Sequence, residues 1–140
     1  MASPGSDSTG DLLMGVARLI RRETARELDV WGITPAQSRA LRAIAASEPV
    51  RLSVLASSLR ITPRSATEVA DALEEHGWIA RSADPTDRRA TTLALTAAGR
   101  LLLRRIEDVR GQAAERVLDV LGERDRRTLD RILTRLGEQA

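Results

Sequence analysis

The chain has 140 residues and a mass of 15.3 kDa, the size of one domain that can bury a core without disulfides. It has no cysteine, no lysine, no tyrosine and one histidine, so we expect a protein that is not an enzyme and that needs neither a metal nor a cofactor. All 22 basic residues are arginines and are nearly balanced by 20 acidic residues, so any DNA binding must depend on where individual arginines lie.

The first ten residues are polar and resemble neither a secretion signal nor a membrane-spanning segment. We therefore expect a cytoplasmic protein with no membrane partner, and disorder over residues 1–8. Apolar residues then recur at helical spacing, which predicts a first helix from Ser8 or Thr9 to about Asp29.

The pair Thr34-Pro35 is a helix-start signal, with threonine as the cap and proline in the first turn. It predicts a second helix that ends near Ala46, followed by a short extended piece at 50–52. Ser53 is predicted to cap a short third helix. The buried face of that helix is expected to contain Val54, Leu55 and Leu59.

A second threonine–proline pair predicts a fourth helix that ends near His76, before Gly77. The third and fourth helices, with the short turn between them, have the pattern of a helix-turn-helix. In that motif the early positions of the second helix face base edges in the major groove. A guanidinium group there can donate two hydrogen bonds to one guanine. Hydroxyls and helix N–H groups can form hydrogen bonds with phosphates or bases. The expected contacts are Thr62, Pro63, Arg64, Ser65 and Thr67.

Two strands are predicted at 78–81 and 90–95, where apolar residues alternate with small or polar ones. The segment 83–89 between them contains Asp-Pro, which favours a turn. Arg88 and Arg89 at the tip of this hairpin are placed to enter a minor groove, where narrow A·T tracts attract arginine.

Two further helices are predicted at about 97–121 and 124–137, the first capped by Thr96. The predicted fold class is therefore mostly α-helical with a small β-hairpin. We expect residues 9–140 to form a single domain.

Several segments in this order resemble the MarR (multiple antibiotic resistance regulator) family over about residues 11–137. They are Gly32-Ile33-Thr34-Pro35-Ala36-Gln37, Leu41, Leu55-Ala56, Ile61-Thr62-Pro63, Asp71, Leu73-Glu74, Gly77, Asp84-Pro85-Thr86-Asp87-Arg88-Arg89 and Leu95-Thr96-Ala97-Ala98-Gly99. The most specific part is the Asp-Pro-x-Asp-Arg-Arg hairpin followed by Leu-Thr-x-x-Gly.

The resemblance implies a winged helix-turn-helix regulator that binds double-stranded DNA as a homodimer. Its dimerisation region would be 9–48 and 97–140, and its DNA-binding lobe 49–96. The function implied is that of a sequence-specific repressor, released from a near-palindromic operator by a small-molecule effector.

Particular residues take roles from this resemblance. Asp71 would pair with Arg89, and Asp71 and Asp87 would orient the hairpin, or wing. An effector would lie between the dimer helices and the DNA-binding lobe, where Arg18 and Trp31 are the candidate contacts. Each has a plainer alternative, since Arg18 can belong to a solvated helix face and Trp31 can be a hydrophobic plug.

Glu68 departs from the family pattern, because many members carry arginine there and again at the position of Ala72. A glutamate near phosphates is repulsive, although it can also accept a hydrogen bond from cytosine N4. The alternative function is therefore a winged-helix protein-interaction module with weak or no DNA binding.

Overall fold

The computed structural model describes residues 7–139, and six helices and three short strands lie within that range. They are α1 (Thr9–Asp29), α2 (Pro35–Ser47), β1 (Val50–Arg51), α3 (Leu52–Leu59), α4 (Pro63–Glu75), β2 (Ile79–Ala83), β3 (Thr91–Leu95), α5 (Ala97–Leu118) and α6 (Glu123–Gly137). The predicted mostly helical fold with a small hairpin is confirmed. The expected disorder falls largely on residues 1–6, which lie outside the described residues.

Both threonine–proline signals begin helices as predicted. At α2, the Thr34 hydroxyl accepts from the Gln37 N–H (3.1 Å), and the Gln37 side chain accepts from the Thr34 N–H (3.0 Å). At α4, the Thr62 hydroxyl accepts from the Ser65 N–H at 3.1 Å. These bonds satisfy N–H groups that have no partner within the helix.

The start of α3 differs from the prediction. The helix begins at Leu52, one residue before the expected Ser53 cap, and Arg51 occupies the cap position without a side-chain hydrogen bond. Leu52 is partly buried and packs against the hydrophobic core, and this contact accompanies the earlier start of the helix. Val54, expected to be buried, is 51% exposed, whereas Leu55 is fully buried.

Smaller differences occur at other boundaries. The strand β2 continues to Ala83, two residues beyond the expected end, because it pairs with β3 as far as Thr91. Helix α5 ends at Leu118 rather than near residue 121.

Residues 25–109 form one compact unit, which we call the central unit. Its antiparallel sheet has the order β1-β3-β2, with Val50 opposite Leu93 and Ile79 opposite Leu95. The largest fully buried side chains of this unit come from helices α1 to α5 and from β3. They are Leu28, Leu41, Ile44, Leu55, Leu73, Leu93 and Ile106.

The described residues 7–24 and 110–139 form a second unit, which we call the terminal unit. Within it, the Arg126 guanidinium on α6 makes two hydrogen bonds to the Glu115 carboxylate on α5, at 2.7 and 3.1 Å. Large apolar side chains on its helices remain exposed. They are Leu12, Leu13, Met14, Val16, Leu19, Ile132, Leu133 and Leu136. No helix within residues 7–139 is long and apolar enough to cross a bilayer.

Candidate nucleic-acid interface

A sharp turn separates α3 from α4 and sets where α4 begins. Arg60 ends α3 in the left-handed conformation, with φ of 54°. Its N–H donates to the Ser57 carbonyl, and the Ile61 N–H donates to the Ala56 carbonyl, both at 3.1 Å. This closure of α3 by a left-handed residue ends the helix and changes the chain direction before α4 starts at Pro63.

Helix α4 buries one face and exposes the other. Ala66, Ala70 and Leu73 are fully buried on the inner side. The outer side carries residues spaced by three and four, which is the spacing of one helix face. These exposed residues are Arg64, Thr67, Glu68 and Asp71.

Most hydroxyls at the start of α4 already have partners. The Thr62 hydroxyl donates to the Ser65 hydroxyl at 2.9 Å and accepts from the Ser65 N–H. The Thr67 hydroxyl donates to the Pro63 carbonyl at 3.0 Å. Among the early positions predicted to contact DNA, Arg64 therefore has the largest number of donors available to a ligand.

Arg64 pairs with Glu68 on the same face of α4. The Arg64 Nε lies 3.3 Å from Glu68 Oε1, one helical turn away, and both side chains project into solvent. The negative charge of Glu68 thus lies against the positive charge of Arg64.

The wing tip is organised by Asp87. Its carboxylate accepts from the Arg89 N–H at 3.0 Å, and its carbonyl accepts from the Ala90 N–H at 2.9 Å. Arg88 and Arg89 are exposed. Within residues 7–139, neither guanidinium group has an acidic partner.

Asp84 fixes the base of the wing to β1. Its carboxylate accepts from the Thr86 N–H (2.8 Å), from the Thr86 hydroxyl (2.7 Å) and from the Arg51 guanidinium. The bonds from Thr86, followed by that from Arg51, lower the pKa of Asp84 from 3.8 to about 2. The carboxylate at the base of the wing is therefore ionised, and its hydrogen bonds connect the wing to β1.

The acidic residue Asp71 corrects one expectation. The predicted partner was Arg89, but the Asp71 carboxylate accepts from Arg81 on β2 at 2.6 Å. Arg81 also donates to Glu74 at 3.1 Å and is only 24% exposed. These hydrogen bonds raise the pKa of Arg81 above its ordinary value, the one to Asp71 contributing most. The clasp of Arg81 with both carboxylates ties α4 to the strand that leads into the wing.

A second joint links the start of β2 to α5. The Thr96 hydroxyl donates to the Gly77 carbonyl (2.6 Å) and accepts from the Gly99 N–H (3.1 Å), while the Thr96 N–H donates to the Trp78 carbonyl. A Cβ at Gly99 would lie 1.9 Å from that Trp78 oxygen. Only glycine fits this approach, which explains the Leu-Thr-x-x-Gly spacing.

Comparison with known proteins agrees with this geometry. The sequence pattern of the MarR family matches residues 33–91. The chain is 34% identical over 128 residues to the HTH-type transcriptional repressor Rv2887 of Mycobacterium tuberculosis, covering 91% of this chain and 92% of the relative. The chain belongs to the MarR family.

A further relative and two solved structures extend the match. The repressor MdtR of Bacillus subtilis is 27% identical, covering 91% of this chain and 83% of MdtR. The crystal structure of Rv2887 with salicylic acid has a TM-score of 0.75 at 31% identity, covering 96% of this chain and 99% of that one. MarR of E. coli has the same fold, with a TM-score of 0.87 at 23% identity, covering 94% and 97%. The predicted winged helix-turn-helix fold and the predicted class of DNA-binding transcriptional regulator are thus confirmed.

Trp31, a candidate effector contact in this MarR protein, follows α1 and is not a buried plug. It is 47% exposed, and the Arg105 guanidinium from α5 lies 5.2 Å from its ring centroid. Arg18, the other candidate, is an exposed residue of α1. Within residues 7–139, no group of three or more acidic or histidine side chains is arranged to hold a metal ion.

His76 and Trp78 flank the end of α4. His76 occupies the C-cap position, as predicted, and its ring stacks on the Trp78 ring at 4.3 Å between centroids. Trp78 is half-buried and packs against the core. This stack lies at the point where α4 passes into β2.

The sequence prediction missed Arg81. The signal was present, because Arg81 lies two residues after the buried Ile79 in a strand, and Asp71 and Glu74 are three residues apart on one helix face. Their proximity depends on how β2 crosses α4, which motif spacing alone does not determine.

Proposed function

We propose that this MarR family protein is a homodimeric repressor that binds a near-palindromic operator and responds to a small-molecule effector. As a regulator of cellular DNA it would act in the cytoplasm. The observation that carries the proposal is the pair of exposed wing arginines, Arg88 and Arg89, without acidic partners among the described residues. Free guanidinium groups on an ordered hairpin suit phosphates and a narrow minor groove.

Helix α4 supplies the other half of the proposed interface. Its N-terminal turn would enter the major groove, with Thr62, Pro63 and Ser65 near the backbone phosphates. Arg64, Thr67 and Glu68 would face base edges. Asp71 would orient the wing indirectly, through Arg81, and Asp87 through the turn that it closes.

The proposed dimer is supported by the terminal unit. Its apolar side chains on α1 and α6 are exposed in a single chain, and contiguous exposed apolar surface commonly marks a protein interface. Residues 9–48 and 97–140 would form the dimerisation region, and 49–96 the DNA-binding lobe. Two recognition helices about 34 Å apart would then match successive major grooves of a near-palindrome.

The proposed effector is a small aromatic carboxylic acid. A solved relative is a complex with salicylic acid. In this chain Trp31 offers an exposed ring and Arg105 a cation beside it, which suit an aromatic ring and a carboxylate respectively. Arg18, an exposed residue of the terminal unit, stays a separate prediction as a counter-charge for an anionic ligand, to be tested by its own alanine variant.

The test is fluorescence anisotropy of purified protein on the duplex upstream of its own gene. A scrambled duplex of the same composition is the control, at three salt concentrations. We expect tighter binding to the upstream duplex, weakening with salt, and release by salicylate in the wild type more than in Trp31→Ala. Sedimentation of the protein alone is expected to give a dimer.

The neutral charge balance of the DNA-binding lobe favours a second candidate, a protein-interaction module on the same fold. Residues 49–99 contain six arginines and six acidic residues, and one of the acids, Glu68, lies on the recognition face. Equal, weak binding to both duplexes at low salt, together with no sequence enriched from a random library, would support this candidate instead.

A further inference from the structure

We propose that Arg64 and Glu68 act as one reading unit, in which Arg64 selects guanine and Glu68 selects a neighbouring cytosine in each half-site. The inference rests on the proposed DNA-binding function and assigns the bases at two positions. It gives Glu68 a positive role in recognition, where its charge alone would only repel phosphates.

The first step is the geometry of the Arg64 side chain. Glu68 Oε1 lies 3.3 Å from Nε, and among residues 7–139 both terminal amino groups of the guanidinium have no partner. Two parallel N–H donors match the O6 and N7 acceptors of guanine in the major groove. A carboxylate on Nε favours one orientation of the guanidinium plane, so less side-chain freedom is lost on binding.

The second step is the free oxygen of Glu68. A carboxylate accepts hydrogen bonds and does not donate, so it requires a base edge with an amino group. Cytosine presents its N4 amino group to the major groove with no acceptor of its own beside it, whereas adenine places the N7 acceptor next to its N6 amino group and guanine presents only acceptors there. With Glu68 one helical turn from Arg64, we infer a cytosine next to the selected guanine.

The third step concerns charge. Arg64 and Glu68 are 90% and 67% exposed in their side chains, and together they add no net charge to the recognition face. The pair therefore contributes little attraction to an arbitrary duplex. Its favourable contacts form only where the bases match, so it increases the ratio of specific to non-specific binding.

The experiment begins with selection of bound duplexes from a random library by the wild-type protein. Every single-base variant of the selected site is then measured against wild type, Arg64→Lys, Glu68→Ala and Glu68→Gln. Glu75→Gln is the matched control, because Glu75 is exposed on the same helix and the substitution removes the same charge. Circular dichroism of each variant checks that the fold is unchanged.

In the wild type, we expect replacement of the guanine or of the cytosine to cost about 10- to 100-fold in affinity. Glu68→Ala is expected to flatten the preference at both positions to below about 3-fold while tightening binding to scrambled DNA. Arg64→Lys keeps the charge and is expected to weaken the guanine preference, because lysine lacks the planar pair of parallel N–H donors. Glu75→Gln leaves both base preferences unchanged.

Two other results would count against the inference in different ways. If Glu68→Ala tightens binding to every duplex equally and keeps both preferences, Glu68 is only repulsive and the reading unit does not exist, although the regulator function stands. If the wild type enriches no sequence, the proposed function itself fails, and the inference fails with it.

Discussion

The recognition helix and the wing carry similar charged residues in opposite states. On α4, Arg64 is paired with Glu68, while Asp71 and Glu74 share Arg81. On the wing, Arg88 and Arg89 have no acidic partner within the described residues.

The difference suggests that the wing and α4 contribute to DNA binding in different ways. An unpaired guanidinium attracts any phosphate, so the wing would supply affinity that depends on salt and little on sequence. A paired guanidinium gains less from a phosphate and more from a matching base. Helix α4 would then supply most of the sequence selectivity. Breaking ion pairs on α4 and removing charges from the wing should therefore change selectivity and affinity separately.

The largest effect is expected where both regions are joined to the rest of the central unit. Gly99→Ala places a Cβ 1.9 Å from the Trp78 carbonyl oxygen, so the backbone at the start of β2 must move. We expect a loss of more than about 2 kcal/mol in the free energy of unfolding, measured by urea denaturation. Gly111→Ala, also on α5 and with no heavy atom within 4 Å of its added Cβ, is the control and should be neutral or stabilising. Equal stability of the two variants would contradict the close approach.

Removing the wing charges tests the affinity side of the comparison. Arg89→Ala should weaken operator binding by about 1–3 kcal/mol and reduce the salt slope by about 1 if it contacts a phosphate or the groove. The loss should be similar for operator and scrambled DNA. Arg42→Ala, which removes an arginine paired with Glu107, is the charge-matched control. An unchanged affinity in Arg89→Ala would contradict the assignment of the wing.

Breaking the Arg81 clasp tests whether paired charges position the helix. Arg81→Ala leaves Asp71 and Glu74 unneutralised on α4, and we expect operator affinity to fall about 10-fold. Adding Asp71→Asn and Glu74→Gln to this variant should restore affinity for scrambled DNA, since the repulsion is gone. Base preference should stay impaired, because the tie to β2 is still missing. Full recovery of the preference would show that Arg81 only neutralises charge.

The smallest effect is expected from protonating the corner at the base of the wing. The pKa of Asp84 is lowered to about 2, so the stabilisation that it provides is complete above about pH 4 and is lost as the pH falls towards 2. Urea midpoints should therefore fall in this range by more in the wild type than in Asp84→Asn. Parallel curves for the two proteins would mean that the carboxylate is not linked to folding.

Local signals predicted the fold well, because short-range chemistry determines most of its boundaries. The threonine–proline pairs begin α2 and α4 as expected, and the hairpin and the long final helices are present. The Ser53 cap was wrong, since Leu52 packs against the core and belongs to the helix. The spacing of polar residues alone does not show which of two adjacent residues packs against the core.

The candidate site was predicted less completely. The sequence placed Arg64, Arg88 and Arg89 on an exposed helix face and an exposed wing, as the structure has them. It gave Asp71 the wrong partner, because the contact with Arg81 spans ten residues and depends on the path of β2. Trp31 is similar, since its contact with the Arg105 guanidinium joins two residues that lie far apart in the sequence.

The two tryptophans also make the protein its own optical reporter. Trp78 is half-buried under the imidazole of His76 at the end of the recognition helix, whereas Trp31 is open to solvent beside Arg105. Their emission should therefore differ in colour and in sensitivity to quenchers. With Trp31 replaced by phenylalanine, the remaining indole would follow events around the recognition helix without an attached dye.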